Sequence, residues 1–131
     1  MAPSGPVEMR MDVVRFLRPK ALLVFGGGNI VIDRCEAMTV IDVNSAAAGL
    51  PGDKETTVTA TNLEACTEAV IQIRLRDIAG IIMIDFIDME NETDRSLVEQ
   101  RLIEELKSDR RKTVVHGWTR LGIIEMTRKR I

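Results

Sequence analysis

The apolar run Ile81 to Ile87, IIMIDFI, constrains the fold more than any other stretch of this 131-residue chain. It is strand-sized, rich in β-branched residues and apolar on both faces, which is the pattern of a central strand in a covered sheet. The preceding segment supports that placement. Leu63, Cys66, Val70 and Ile73 recur at spacings of three, four and three, one apolar stripe of a helix that closes near Arg76 and Asp77 before Gly80 starts the run. Helix, turn and strand in that order make half of an α/β unit. Asp85 nevertheless interrupts the run, and an unpaired buried carboxylate costs several kcal/mol. Asp42 interrupts the apolar segment TVIDVNS (39–45) in the same way, so both aspartates are expected at strand ends, serving a purpose there.

With 45% hydrophobic residues, the chain is long enough for one compact domain and too short for two with separate cores. No apolar run approaches the roughly 20 residues that span a bilayer. The opening MAPSGP, residues 1–6, reads as a disordered leader with no apolar signal segment after it, so a single domain over 7–131 is expected, neither exported nor membrane-inserted. Two cysteines, Cys35 and Cys66, cannot build a disulfide framework, and the lone histidine, His116, without a C-x-x-C pair argues against structural zinc. The composition suits a reducing cytoplasm.

Other elements follow from local pattern. Val7, Met11, Val14 and Leu17 predict a short amphipathic helix ended by Pro19. The apolar residues Ala21 to Phe25, the turn Gly26-Gly27-Gly28-Asn29 and Ile30 to Ile32 predict a β-hairpin, since glycine supplies the positive φ of a tight reversal. A second reversal around Asp33 to Glu36 leads into a third strand, Met38 to Asn44, completing an N-terminal meander. Ser45 to Thr59 reads as a long loop, and Thr61-Asn62-Leu63-Glu64 as a capping box that opens the next helix. Asn91 or Thr93 caps a second helix reaching about Ser108, with Val98, Leu102 and Leu106 on one face. Two short strands, Thr113 to His116 and Ile123 to Met126, flank a turn. The class expected is mixed α/β, a mixed sheet packed by two main helices.

Charge is uneven along the chain. Lys107 to Ile131 carries eight basic and two acidic residues, a balance of +6, which leaves -8 on the first 106 residues of a chain of net charge -2. Such asymmetry suits a phosphate-rich ligand touching one end, or a solvated basic tail. With no tyrosine, one tryptophan and three phenylalanines, the chain has no aromatic platform for stacking bases, so nucleic acid would be gripped by its backbone.

Two aspartates brought together invite a hard divalent cation, because Mg²⁺ takes oxygen ligands and offsets their repulsion. At about 4 Å and an effective dielectric near 20, that repulsion is roughly 4 kcal/mol. Asn44, two residues beyond Asp42, shares its face of the strand and can orient a ligand or contact bound water; an Asx-turn is the bland alternative. Asp85 is the stronger ligand candidate. Asp88, three residues on, is expected to steady the loop or cap the following helix. Cys66 is expected to be a core residue and His116 a packed or surface residue, and the triple glycine matches no phosphate-binding loop pattern.

In this order, GGGNIVID (26–33), EAMTVIDVNS (36–45), TNLEA (61–65), IRLRDIAGIIMIDFIDM (73–89) and GIIEMTRKR (122–130) resemble the catalytic segment of the bacterial ribonuclease E/G family. The resemblance covers about Gly26 to Arg130. It implies a DNase I-like subdomain of an endoribonuclease that cuts single-stranded RNA, in which Asp42 and Asp85 hold Mg²⁺ and Asn44 helps to orient the site. It places Lys112 near the scissile phosphate. The implied mechanism is hydrolysis, with water attacking the phosphodiester in line at the Mg²⁺ site while Lys112 and Arg111 position the backbone.

The chain also departs from the family pattern. It begins after the S1 and other upstream domains that family members carry, and stops before their zinc-sharing cysteine pair, so it looks like an excised catalytic subdomain. Ala46-Ala47-Ala48 stands where many relatives have a glycine and a basic residue, which removes a phosphate contact. The competing expectation is a non-catalytic module that packs or oligomerises and lacks productive RNA binding. A homodimer through an exposed sheet edge or apolar face is open on either expectation.

Overall fold

The computed structural model describes residues 21–23, 28–45 and 54–130. Within them lie the strands β1 (Ala21–Leu23), β2 (Asn29–Arg34), β3 (Met38–Asn44), β4 (Gly80–Asp85), β5 (Thr113–Trp118) and β6 (Ile123–Arg128), with helix α1 (Lys54–Leu75) between β3 and β4 and helix α2 (Glu92–Leu106) between β4 and β5. The leader, the helix expected over Val7 to Arg18 and the Ala46-Ala47-Ala48 patch fall outside the described residues.

β1, β2 and β3 form the expected meander, each antiparallel to the next, and the reversal at 35–37 is closed by the Cys35 amide donating to the Met38 carbonyl at 2.8 Å. The six strands run in the order β1-β2-β3-β4-β6-β5. β3 and β4 are parallel, whereas β4 pairs β6, and β6 pairs β5, antiparallel. A parallel pair cannot be joined by a hairpin, and α1 supplies the crossover. The sheet is therefore mixed, as the α/β expectation requires.

Alternation along the strands sets which face is covered. Ile30 and Ile32 of β2, Ile41 and Val43 of β3, Ile82 and Ile84 of β4, and Ile124 and Met126 of β6 form one core with Cys66, Val70 and Ile73 of α1 and Val98 and Leu102 of α2. Each fully buried side chain of this size contributes about 1.5–3 kcal/mol. The intervening residues point the other way. Met38, Asp42 and Asn44 of β3 are exposed, Val40 and Met83 are half-buried, and Ile81 is 46% exposed. The expectation that Ile81 to Ile87 is covered on both faces is thus corrected at Ile81: among the described residues the core lies against one face of β4, and the strand ends at Asp85.

The start of α1 is a second correction. The helix begins at Lys54, not after a capping box at Thr61, so residues 54–59 of the expected loop are helical. Val58 is buried one turn before Asn62 and extends the apolar stripe backwards, so packing outweighs the poor helix propensity of Thr56, Thr57 and Thr59. Thr61, inside the helix, donates its hydroxyl to the Thr57 carbonyl at 2.9 Å, the back-bond of a mid-helix threonine. At the other end Asp77 adopts φ 56°, with its amide donating to the Arg74 carbonyl and the Ile78 amide to the Ile73 carbonyl, the Schellman arrangement in which an aspartate takes the usual place of glycine.

α2 is capped by Asn91, whose side chain accepts from the amides of Thr93 (2.7 Å) and Asp94 (3.3 Å). Asp88 therefore does not cap it. After α2, Asp109 organises the turn into β5: its carboxylate takes Nε and Nη2 of Arg128 at 2.7 and 3.0 Å, the Arg111 amide at 3.1 Å and the Thr113 hydroxyl at 3.1 Å. Arg128 also donates through Nη1 to the Ile78 carbonyl at 2.9 Å, so this buried pair ties β6 to the entry of β4.

Candidate metal centre

The parallel register of β3 and β4 sets Asp42 directly opposite Asp85. Neighbouring strands are about 4.8 Å apart, so the two carboxylates arise side by side. Both point away from the core face: Asp42 is flanked by buried Ile41 and Val43, and half-buried Asp85 follows buried Ile84. They stand at the carboxyl ends of the two strands, where ligands gather in open α/β sheets. Desolvation by its surroundings pushes the Asp85 carboxyl above the usual range, and the negative charges of Asp42 and Asp88 push it further.

Asn44 shares the face of Asp42. Its Nδ2 donates to Oδ1 of Asn29 at 3.1 Å, from the residue paired with it across β2 and β3. The amide nitrogen is thereby committed, and Oδ1 of Asn44 remains as an acceptor or ligand. Asp42, Asp85 and Asn44 offer hard oxygen donors of the kind Mg²⁺ prefers; that ion typically takes one or two protein carboxylates and fills its other positions with water and phosphate oxygens. Among the described residues no cluster of three or more His, Cys, Asp or Glu is placed to hold an ion, so the donor set is this carboxylate pair with a carboxamide. It fits Mg²⁺ and does not suit zinc.

The chain beyond β4 is fixed from the core side. Phe86 is buried and tilts against Trp118 with ring centroids 5.7 Å apart, and Met89 is also buried. The backbone of Ile87 is held by Asn62 of α1 at both its carbonyl and its amide. Asp88 is exposed and enters the site through its charge on Asp85. Asn62 and Asn29 were not identifiable as site residues from motif spacing. One signal was present for Asn62, a carboxamide on the apolar stripe four residues from both Val58 and Cys66.

Lys112 and Arg111 are not brought to the aspartates. They precede Thr113, which pairs with Arg128, which in turn pairs with Gly80 at the opposite end of β4 from Asp85. Five residue steps along a strand amount to about 17 Å. Lys112 is exposed, with its carbonyl accepting from the Lys129 amide at 2.9 Å. Arg111 is mostly buried in an ion pair with Asp77. It lines an open cleft of about 430 Å³ with Arg74, Arg110, Arg128, Ile71 and Leu75. His116 is exposed, with Nε2 2.8 Å from the Thr127 hydroxyl, and Cys66 is buried with its thiol pushed up to about 12 by desolvation, a core residue with no nucleophilic character.

The sequence pattern of the Ribonuclease E/G family matches residues 7–131. Ribonuclease E of Escherichia coli (strain K12) is 49% identical over 105 residues, 80% of this chain and 10% of that protein. Ribonuclease G of the same strain is 43% identical over 123 residues, 94% of this chain and 25% of that protein. Ribonuclease G of Haemophilus influenzae is 46% identical over 104 residues, 79% of this chain and 21% of that protein. The chain spans a quarter or less of the length of these relatives. A carboxylate pair in parallel register, joined to this likeness over nearly the whole sequence, leads to one conclusion: the chain belongs to the ribonuclease E/G family.

Proposed function

We propose that Asp42, Asp85 and Asn44 form the Mg²⁺ site of an endoribonuclease that hydrolyses phosphodiester bonds of single-stranded RNA. The observation that carries the reading is the in-register placement of Asp42 opposite Asp85 on the face away from the core. RNA as substrate is supported by membership of the family. Held by these residues, the ion would supply Lewis-acid stabilisation of developing charge and would lower the pKa of water, easing loss of the proton before attack on phosphorus.

The chain's own part is to bind and orient. Asp42 and Asp85 hold negative charge where a cation relieves their repulsion, the repulsion that, after desolvation, pushes the Asp85 carboxyl upward. Asn44, steadied by Asn29, aims its carbonyl oxygen beside Asp42. Lys112 and Arg111 are in place to touch the RNA backbone only at a distance from the cut. No helix among the described residues is long and apolar enough to cross a membrane. The two free cysteines suit a reducing compartment, which is why a cytoplasmic setting is proposed.

The separation of Lys112 and Arg111 from the aspartates favours a second reading, a catalytic module without its own substrate clamp. Met38, Val40, Ile81 and Met83, apolar residues on the face of the carboxylates, are where a homodimer would bury surface. Cleavage of a short fluorescent single-stranded RNA at low salt, with and without Mg²⁺, tests the first reading against the second. Mg²⁺-dependent cutting that Asp85→Asn abolishes supports an active centre. Mg²⁺ binding without cutting supports the module lacking a clamp.

A further inference from the structure

Asn62 is a fully buried polar side chain whose partners lie outside its own helix. It sits on α1 between Val58 and Cys66, 0% exposed. Its Nδ2 donates to the Ile87 carbonyl at 2.9 Å, and its Oδ1 accepts from the Ile87 amide at 3.1 Å. The carboxamide thus supplies both bonds that a neighbouring strand would give to one residue. These bonds satisfy backbone groups of half-buried Ile87 that pairing would otherwise serve, because β4 ends at Asp85 and, among the described residues, the chain over 86–90 has no strand partner.

The two aspartates differ in how firmly their own strands hold them. Both are paired on two sides, Asp42 to Val31 of β2 and to Asp85, and Asp85 to Asp42 and to Ile123 of β6, but Asp42 is followed by two more residues of β3. Asp85 is the last residue of β4, so its direction depends on what fixes the chain just beyond it. Phe86 is anchored in the core against Trp118, and the next residue is gripped by Asn62.

We propose that Asn62 is a positioning residue for the cation site: by holding both backbone atoms of Ile87 it fixes the exit of the chain from β4, and so the presentation of the Asp85 carboxylate to Asp42. This rests on the reading of Asp42 and Asp85 as a cation site. The role differs from helix packing in general, because its effect is read at Asp85, two residues from the bonds themselves.

The test compares the full chain with Asn62→Ala, Asn62→Ser and a core control, Val70→Ala, a truncation of a buried residue on the same helix. Two quantities are measured: the affinity for Mn²⁺ by calorimetry, and the side-chain rotamer of Asp85 by NMR scalar couplings without metal. The Asn62 variants are expected to bind Mn²⁺ about 10–100-fold more weakly, the usual effect of removing a group that orients a ligand. In them Asp85 should pass from one rotamer to an average of several, as it swings away from Asp42 into water. Val70→Ala should change neither quantity at a comparable loss of melting temperature. Unchanged Mn²⁺ affinity and Asp85 rotamer in a folded Asn62 variant would overturn the proposal, as would equal weakening in Val70→Ala. Failure of both Asn62 variants to fold would also overturn it, since Asn62 would then govern folding as a whole. A parent chain that binds no Mn²⁺ defeats the cation reading alone. The Asp85 rotamer then decides the role of Asn62, averaging in the variants upholding it and no change overturning it.

Discussion

Asp42 of β3 and Asp85 of β4 are direct partners across the parallel strand pair, on the face of the sheet away from its core. Two carboxylates so placed oppose folding in the absence of a cation, and this sets the first expectation. Asp85→Asn should raise the melting temperature of the metal-free chain at pH 7, by a margin worth up to about 1 kcal/mol, the ordinary size of a half-exposed charge interaction. Mg²⁺ should then stabilise the parent and not the variant. Thermal melts with chelator and with Mg²⁺ check both.

The pH dependence of Asp85 has a definite sign. Its folded-state pKa is raised, by desolvation first and by Asp42 and Asp88 next, so the folded chain holds this proton more tightly than the unfolded chain. Its contribution to stability is therefore most favourable below the ordinary carboxyl range and is lost as pH rises through the raised value. Asp85→Asn should remove that component from a stability profile measured without metal.

Asp109 has the opposite sign. The Arg128 guanidinium, hydrogen-bonded to it through two nitrogens, holds its carboxyl down at about 2. Stability from this pair is fully present above about pH 4, the unfolded carboxylate value, and is lost as pH falls towards 2, amounting to about 2 kcal/mol. Denaturant melts between pH 5 and pH 2 should show this loss in the parent and a smaller one in Asp109→Asn.

Removing Arg128 leaves the Asp109 carboxylate, whose side chain is 1% exposed, buried without its main partner. Arg128→Ala should cost about 3–5 kcal/mol, the range for breaking one side of a buried pair. It also frees the Ile78 carbonyl at the entry of β4. Urea denaturation measures the loss, and Arg128→Lys should recover only part of it, because an ammonium cannot reproduce the two-pronged contact.

Asn29→Ala should loosen Asn44 without unfolding the chain. The pair is exposed, so stability should change by no more than about 1 kcal/mol. The side-chain amide of Asn44 should lose its exchange protection, and cation affinity should fall. An Asn44 amide that exchanges equally fast in parent and variant would show that Asn29 does not hold it.

Particular residues show which parts of this fold were legible in the sequence. Met38 to Asn44 was readable to the residue because a strand-sized, β-branched run directly after a reversal is a local signal. α1 was misread at its start because Thr56, Thr57 and Thr59 carry loop chemistry, while the packing of Val58 that overrides it is tertiary. Asn62 was taken for part of a cap because its partner, Ile87, is 25 residues away. Register is likewise non-local. The chain shows two aspartates in two apolar runs, but only the parallel pairing of β3 with β4 makes them neighbours, and only the antiparallel pairing of β6 carries Arg111 and Lys112 to the far end of the sheet.

Mn²⁺ titration followed by NMR tests the central claim most directly, since a paramagnetic ion broadens the resonances nearest to it. At substoichiometric Mn²⁺ the side-chain signals of Asp42, Asp85 and Asn44 are predicted to broaden first and together, and excess Mg²⁺ to restore them. Broadening that begins elsewhere, or spreads evenly over the acidic surface with Asp42 and Asp85 unaffected, would contradict the account.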